Sequence, residues 1–128
     1  METKMIKVTK KQISSYIGLT KAIVEVLDNR KAEKITVINV EKQTSLCRYF
    51  VIAEGLSRTH VNALSDDLDE VFEEAGYPAL HKDRADGWCV QDYGSVIVHI
   101  FDRQTREFYN LEKLWRDGKV IDISTLIQ

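Results

Sequence analysis

The stretch GWCVQDYGSVIVHIF, residues 87 to 101, contains three side chains that could act together in a site: Trp88, Asp92 and His99. An aspartate beside a histidine can orient the imidazole for proton transfer in hydrolysis, and a neutral histidine can also ligate a metal ion. Whether the three side chains meet depends on the elements that carry them.

The stretch is predicted to form a β-hairpin, because strand-forming residues flank a Gly-Ser pair typical of a two-residue turn. The register then pairs Trp88 with Phe101, Val90 with His99 and Asp92 with Ile97. These six side chains share one face of the sheet, and His99 lies diagonal to both Trp88 and Asp92, within side-chain reach. On the residues alone, the leading interpretation of His99 is a core histidine with one ring nitrogen satisfied by a neighbour.

A hydrolytic site would also need a nucleophile. Ser57 follows a predicted strand and begins a helix, but its surroundings, GLSRT, lack the second glycine of a nucleophile elbow, so a helix N-cap is its simpler role. A nucleotidyltransferase could hold a triphosphate between Gly55 and Ser57. The acids that follow, Asp66 and Asp67, fall inside a helix rather than on a magnesium-binding strand. We therefore expect no catalytic residues.

The metal-ligating residue types are also poorly placed. His60, His81 and His99 share no helix-turn spacing, and Cys47 and Cys89 lie far apart without a second cysteine near either. We expect both cysteines to be reduced core residues, and we expect neither a metal nor a cofactor.

Length and charge narrow the class of protein. A chain of 128 residues, 44% hydrophobic and 30% charged, is expected to form one domain, residues 1–128. Its formal net charge of −2 argues against affinity based on phosphate neutralisation, so we expect no direct nucleic-acid specificity and a basic or neutral partner. No apolar span indicates a membrane segment or a signal peptide.

The hydrophobic pattern predicts an α/β domain with a mixed sheet of about five strands flanked by helices. Strands are predicted at residues 34–40, 49–55, weakly 78–83, 88–93 and 95–101. Helices are predicted at about residues 13–32, broken near Gly18 and restarting at Thr20, at 57–75 and at 111–115. Residues 83–87 are expected as a turn and residues 102–105 as a polar loop, whereas the last ten residues receive no assignment.

Two clusters of residues are typical of binding proteins, although each has a simpler explanation. Aromatic side chains that could anchor an interface or pack a core concentrate late in the chain: Trp88, Phe101, Phe108, Tyr109 and Trp115. Carboxylates that could steer a basic partner or form a solvated helix face crowd the second half of the long helix: Asp66, Asp67, Asp69, Glu70, Glu73 and Glu74.

Several stretches together resemble the ribosomal silencing factors, also called the Iojap family. GWCVQDYGSVIVHIF followed by REFYNLEKLW is similar to the family's Trp-containing strand, D-x-G turn, V-V-H strand and R-x-x-Y-x-L-E-x-L-W segment. KAEKITVINV resembles its first strand, and YFVIAEGLSRTHV its second strand and the start of the long helix. The resemblance covers about residues 20–117, with departures at Arg48, Glu54 and Gln91.

The resemblance implies a binding protein rather than an enzyme. Family members bind the large ribosomal subunit through its fourteenth protein, a basic β-barrel, and keep the small subunit from joining, which represses translation under nutrient limitation or in stationary phase. Organelle members assist large-subunit assembly. Their fold resembles a nucleotidyltransferase core without the catalytic carboxylates, and some form homodimers when free. We accordingly expect a cytoplasmic bacterial protein, an organelle matrix being the less favoured location.

The resemblance also suggests partner-binding residues. Trp88 would anchor the partner, Asp92 would fix the hairpin turn or accept from a basic partner, and His99 would orient its neighbours. The matches of second rank, which could equally support the fold, are Tyr93, Phe101, Arg106 and Tyr109.

Overall fold

The computed structural model describes residues 7–122 and centres on a mixed six-stranded sheet. The strands are β1 Glu33–Asn39, β2 Tyr49–Gly55, β3 His81–Ala85, β4 Trp88–Asp92, β5 Val96–Asp102 and β6 Lys119–Ile121. Their order across the sheet is β3-β4-β5-β2-β1-β6, and β2 pairs with β5 in parallel while the other neighbours are antiparallel. The helices are α1 Tyr16–Asn29, α2 Arg58–Glu74, α3 Arg103–Tyr109 and α4 Leu111–Leu114, with a 3-10 turn at Gln12–Ser14.

The larger core lies between one face of the sheet and the two long helices, α1 and α2. Every residue of β2 is buried, as expected for a central strand covered on both sides. The apolar stripes of the helices pack on β2, β4 and β5, with fully buried side chains that include Leu19, Ile23, Leu27, Leu64, Leu68 and Phe72. We call this side of the sheet the helix face and the opposite side the second face.

The predicted α/β fold with a mixed sheet flanked by helices is confirmed, and so is the register of the hairpin between β4 and β5. Trp88 pairs with Phe101, Val90 with His99 and Asp92 with Ile97. The Tyr93 N–H donates to the Val96 carbonyl, which closes a two-residue turn with Gly94 at φ 90°.

The predicted break of the first helix at Gly18 is wrong. Helix α1 runs through Gly18; its N-cap is Ser15, whose hydroxyl accepts from the Gly18 N–H, and the Thr20 hydroxyl donates back to the Tyr16 carbonyl. A side chain at position 18 would overlap the carbonyl oxygen of Gln12, because the 3-10 turn packs directly against the helix there. The glycine therefore permits a close backbone approach rather than ending a helix.

Three boundaries in the second half of the chain also differ from the prediction. Strand β3 continues to Ala85, which leaves only Asp86 and Gly87 as a turn. The predicted polar loop is the first turn of α3, because the Asp102 carboxylate caps the helix by accepting from the Thr105 N–H at 2.8 Å. Part of the unassigned tail forms β6, a sixth strand paired with β1, and residues 123–128 lie outside the described part.

Candidate functional site

The second face of the sheet carries a concentration of aromatic side chains. Helices α3 and α4 cover one end of it, where Leu111 and Trp115 pack against Ile38, Phe50 and Ile52. Beyond that end the strands present partly exposed apolar residues to solvent. We define the aromatic face as the aromatic and histidine side chains of this region: Phe50, Trp88, His99, Phe101, Phe108, Tyr109 and Trp115.

Trp88 lies at the centre of the exposed part of the aromatic face. Its ring centroid is 4.9 Å from that of Phe101, which is 1% exposed beneath it, and 4.6 Å from that of Tyr109 on α3. Tyr109 is 50% exposed and contacts Phe108, which is 80% exposed. Exposed aromatic side chains in contact with one another are typical of protein interfaces.

Phe108 is among the late aromatic residues noted in the sequence but not among the partner-binding residues that the resemblance suggests, although it is among the most exposed large apolar side chains of the described part. The prediction placed a loop at the start of α3 and therefore gave no direction for the side chain of Phe108. The signal that could have found it is the Asp-x-x-Thr pattern at residues 102–105, which is typical of a helix N-cap and sets the direction of the residues that follow.

His99 is locked in place by its aromatic neighbours. The Trp88 indole Nε1–H donates to His99 Nδ1 at 3.2 Å, the Phe50 ring meets the imidazole edge-on at 5.2 Å, and Phe101 lies nearly parallel to it. Burial lowers the pKa of His99 to about 4, so the ring is neutral at neutral pH. The hydrogen bond shows that the side chains of His99 and Trp88 meet, as the hairpin register predicts.

Asp92 serves the hairpin turn rather than the imidazole. Its Oδ1 accepts from the Gly94 N–H at 2.8 Å, and its backbone carbonyl accepts from the Leu80 N–H. The carboxylate is thus used to fix the turn, which was one of the two roles suggested for it. The hydrogen bond to His99 that a hydrolytic site would require is replaced by the one from Trp88.

Tyr93 does not lie on the aromatic face. It is fully buried on the helix face, where its ring packs against Phe72 and stacks on Tyr77. Its hydroxyl donates to Gln91 Oε1, while Gln91 Nε2 donates to the Ser65 carbonyl and hydroxyl. Burial raises the pKa of Tyr93. Because the side chain is enclosed and its hydroxyl is bonded, Tyr93 supports the core and offers no contact surface.

Arg106 joins α3 and α4 to the edge of the sheet. The guanidinium is buried; it binds both carboxylate oxygens of Glu112, at 3.0 and 3.2 Å, and donates to the Lys34 carbonyl and the Thr36 hydroxyl. Glu54, one of the departures from the family pattern, lies 3.8 Å from the same guanidinium. Since each of its three nitrogens donates at least one hydrogen bond, Arg106 positions the segment that carries Phe108 and Tyr109.

The enzyme alternatives find little support in the described residues. Ser57 is confirmed as an N-cap, since its hydroxyl accepts from the His60 N–H. His60 Nδ1 accepts from the Leu56 N–H, and its Nε2 lies 3.0 Å from the Arg30 carbonyl, so both ring nitrogens are engaged. Within residues 7–122, no three His, Cys, Asp or Glu side chains are grouped to hold a metal ion.

Most acids of α2 have cationic partners inside the protein. The four ion pairs are Asp66 with Arg84, Asp67 with Arg30, and both Asp69 and Glu73 with Lys82. Lys82 and Arg84 alternate with outward residues along β3, which turns both cations toward α2. The acidic helix is therefore explained largely by β3 beside it.

No helix of the described residues is long and apolar enough to cross a membrane.

Comparison with known proteins places this geometry in a family. A family model described as ribosomal silencing factor during starvation matches residues 13–128. The ribosomal silencing factor of Halalkalibacterium halodurans is 32% identical, over 85% of this chain and 95% of its own. That of Haemophilus influenzae is 36% identical, over 77% and 99%. The mouse protein named mitochondrial assembly of ribosomal large subunit protein 1 is 34% identical, over 73% of this chain and 43% of its own.

Solved structures agree with this match. A crystal structure of a Chromobacterium violaceum protein has a TM-score of 0.73 at 28% identity, covering 81% of this chain and 88% of its own. One from Bacillus halodurans has a TM-score of 0.72 at 30% identity, covering 81% and 96%. The family suggested by the sequence stretches is confirmed, and the chain belongs to the ribosomal silencing factor family.

Proposed function

We propose that this protein binds the large ribosomal subunit through that subunit's fourteenth protein and thereby keeps the small subunit from joining. Translation is repressed as a result, under nutrient limitation or in stationary phase. The observation that carries the proposal is the aromatic face, whose exposed part, formed by Trp88, Phe108 and Tyr109, needs a partner surface to cover it. Membership of the silencing factor family supports the choice of the ribosome as the partner.

The mechanism needs no chemistry. A folded domain seated on the joining surface of the large subunit occupies space that the small subunit requires, and the block lasts as long as the complex does. The side chains therefore need to supply affinity and orientation only. Aromatic residues suit this task, because they bury much area with little loss of side-chain freedom.

The test is cosedimentation of the protein with separated ribosomal subunits, followed by a subunit-joining assay. We expect wild type to sediment with the large subunit alone and to block joining. Trp88→Ala should weaken binding by about 30-fold, equivalent to about 2 kcal/mol, as is typical for a truncated anchor. Trp88 also packs on Phe101, so Trp88→Ala could weaken binding by lowering stability. Phe108→Ala is the companion variant, because the exposed Phe108 side chain adds little to the fold.

Ile17→Ala is the matched control. Ile17 is an exposed apolar residue on α1, on the opposite side of the sheet, and its truncation should leave binding unchanged. If Ile17→Ala weakens binding as much as Phe108→Ala does, the aromatic face is not the contact surface. Sedimentation of wild type with neither subunit would remove the proposed function.

Assembly of the large subunit is the second candidate function, and the name of the mouse relative favours it. The two functions differ in when the protein acts. A silencing factor binds mature large subunits and blocks joining in a purified system, whereas an assembly factor is required for normal large-subunit precursors to mature. Accumulation of precursors in a deletion strain, combined with normal subunit joining in vitro, would favour assembly.

The proposal extends to the location of the protein and to its oligomeric state when it is not bound to a ribosome. We propose that the protein acts in the bacterial cytoplasm and pairs with a second copy when no ribosome is available, since pairing would shield the aromatic face. Sedimentation equilibrium over a range of protein concentrations tests the pairing. A monomer at every concentration, with Phe108→Ala behaving identically, would contradict it.

A further inference from the structure

The Trp88–His99 contact fixes which nitrogen of the imidazole carries its proton. An indole N–H can only donate, so His99 Nδ1, 3.2 Å away, must be the acceptor and must be unprotonated. A neutral imidazole then carries its hydrogen on Nε2. Trp88 therefore sets the tautomer as well as packing beside the ring.

The Nε2–H of His99 has no acceptor within the described protein. The hydrogen bond that the imidazole makes is the one from Trp88, and this bond goes to Nδ1 rather than Nε2. In the described residues, every fully buried side-chain nitrogen or oxygen has a hydrogen-bond partner. It follows that Nε2 is not fully buried and that its N–H meets solvent at the surface of the aromatic face.

The direction of this N–H is fixed as firmly as its tautomer. Phe50 holds the ring from its edge, Phe101 lies parallel to it at 6.1 Å, and Trp88 bonds to its far side. The neighbours of His99 across the strands, Val90 and Ile52, are apolar. A single oriented donor in an apolar setting is costly to cover unless the covering surface offers an acceptor.

The surroundings indicate which acceptor is suitable. A carboxylate would be drawn out of water against a protein of net charge −2, and the strand register places two further carboxylates, Asp83 and Asp92, on the same face. A neutral carbonyl oxygen pays a smaller desolvation cost and is satisfied by one good donor.

We propose that His99 donates its Nε2–H to a neutral carbonyl oxygen of the partner, and that Trp88 positions it to do so. The inference rests on the proposed function, because the partner is the ribosomal protein that covers the aromatic face. His99 is then a specificity residue: it admits surfaces with a carbonyl at this point and penalises apolar surfaces that merely fit the aromatic rings.

Two substitutions separate the roles of the two ring nitrogens. In His99→Asn the side-chain oxygen can still accept from Trp88, but no donor reaches the position of Nε2. In His99→Gln the terminal amide reaches that position and can donate. We expect His99→Asn to weaken binding to the large subunit about tenfold and His99→Gln to stay within about threefold of wild type, with thermal unfolding confirming that both fold.

Nitrogen-15 NMR of the imidazole tests the premise directly. The free protein at pH 7 should show the Nε2–H tautomer, and an Nδ1–H tautomer or an imidazolium would overturn the inference. Folded His99→Asn binding as tightly as wild type, while Phe108→Ala binds weakly, would overturn this inference and leave the proposed function standing. If wild type itself does not bind the large subunit, both proposals fall together.

Discussion

Trp88, His99 and Arg106 differ in how far their roles follow from residue type. The hairpin register alone brings Trp88 and His99 together, because a two-residue turn leaves one pairing for the strands. Arg106 matches the family pattern equally well, yet two of its partners, Lys34 and Thr36, come from β1, which is remote in sequence. The family pattern thus includes all three residues, and only the three-dimensional contacts separate the partly exposed Trp88 and His99 from the buried Arg106.

The burial of His99 makes the stability of the protein depend on pH. The unfolded histidine has a pKa near 6.5, whereas burial lowers the folded pKa to about 4. Between these values the unfolded chain binds a proton that the folded chain excludes. The free energy of unfolding should therefore fall as pH drops from about 6.5 to 4, with a slope of up to about 1.4 kcal/mol per pH unit from this group.

Urea unfolding of wild type and His99→Asn across this pH range isolates the effect. The variant lacks the imidazole, so its stability should decline less steeply than that of wild type below pH 6.5. Parallel decline of the two proteins would show that other groups, and not His99, account for the acid sensitivity.

Replacing Arg106 should destabilise the protein strongly, because its acceptors are left behind. Arg106→Met removes the cation between the Glu112 carboxylate, the Lys34 carbonyl and the Thr36 hydroxyl, and we expect a loss of about 3 kcal/mol. Arg106→Lys should recover little, since an ammonium cannot bind Glu112 through two parallel bonds.

The control for Arg106 is Arg103→Met on the same helix. Arg103 is mostly exposed and pairs with Glu107 at 3.4 Å, so its loss should cost under about 0.5 kcal/mol. Similar unfolding midpoints in urea for Arg106→Met and Arg103→Met would contradict the positioning role of Arg106.

At the scale of elements, the sequence predicts those whose signal is local. Helix α2 has a capping serine, apolar residues at helical spacing and a glycine after its end, and the hairpin has its turn. Two short elements, β6 and α3, were missed because their stability depends on contacts with other elements. Strand β6 spans three residues and is stabilised by pairing with β1. Helix α3 has Asp102 as its N-cap, and the Asp102 N–H donates a hydrogen bond to the carbonyl of Gly87, which directly precedes β4.

Gly18 gives a test at the scale of the helix. Alanine usually stabilises a helix interior by about 1 kcal/mol relative to glycine. In α1 the added methyl group would overlap the Gln12 carbonyl, so Gly18→Ala should instead displace the 3-10 turn and lower the free energy of unfolding by about 1 kcal/mol.

Ile17→Ala, one residue earlier in the same turn, is the comparison for Gly18→Ala. It introduces the same residue at an exposed position and should change stability by less than about 0.5 kcal/mol. A stabilised Gly18→Ala protein in chemical denaturation would show that the turn at Gln12–Ser14 does not press on the helix.

At the scale of the whole molecule, charge is divided between the two sides of the sheet. The acids of α2 lie on the helix face and are largely paired with Lys82, Arg84 and Arg30, whereas the register places Asp83 on the second face. At physiological salt, screening limits the range over which exposed charges interact to about 8 Å. Steering of a basic partner toward the aromatic face should therefore depend on Asp83 more than on α2.

Association rates measured at low and high salt test this division. We expect Asp83→Asn to slow association with the large subunit a few-fold at low salt, and the double variant Glu70→Gln, Glu74→Gln to change it by less than twofold. Both effects should disappear at high salt. A larger effect from the α2 double variant would indicate that the partner approaches the helix face.

The parallel pairing of β2 with β5 has a consequence for how the molecule forms. Tyr49 through Gly55 pair with Val96 through Asp102, so the centre of the sheet joins segments separated by α2, β3 and β4. In such non-local pairing the chain loses loop-closure entropy before the stabilising contacts form, and this tends to limit the folding rate. His99, to which Trp88 is hydrogen-bonded, meets Phe50 only after this closure. During synthesis, the aromatic face therefore cannot be complete until the strand that ends at Asp102 has left the ribosome.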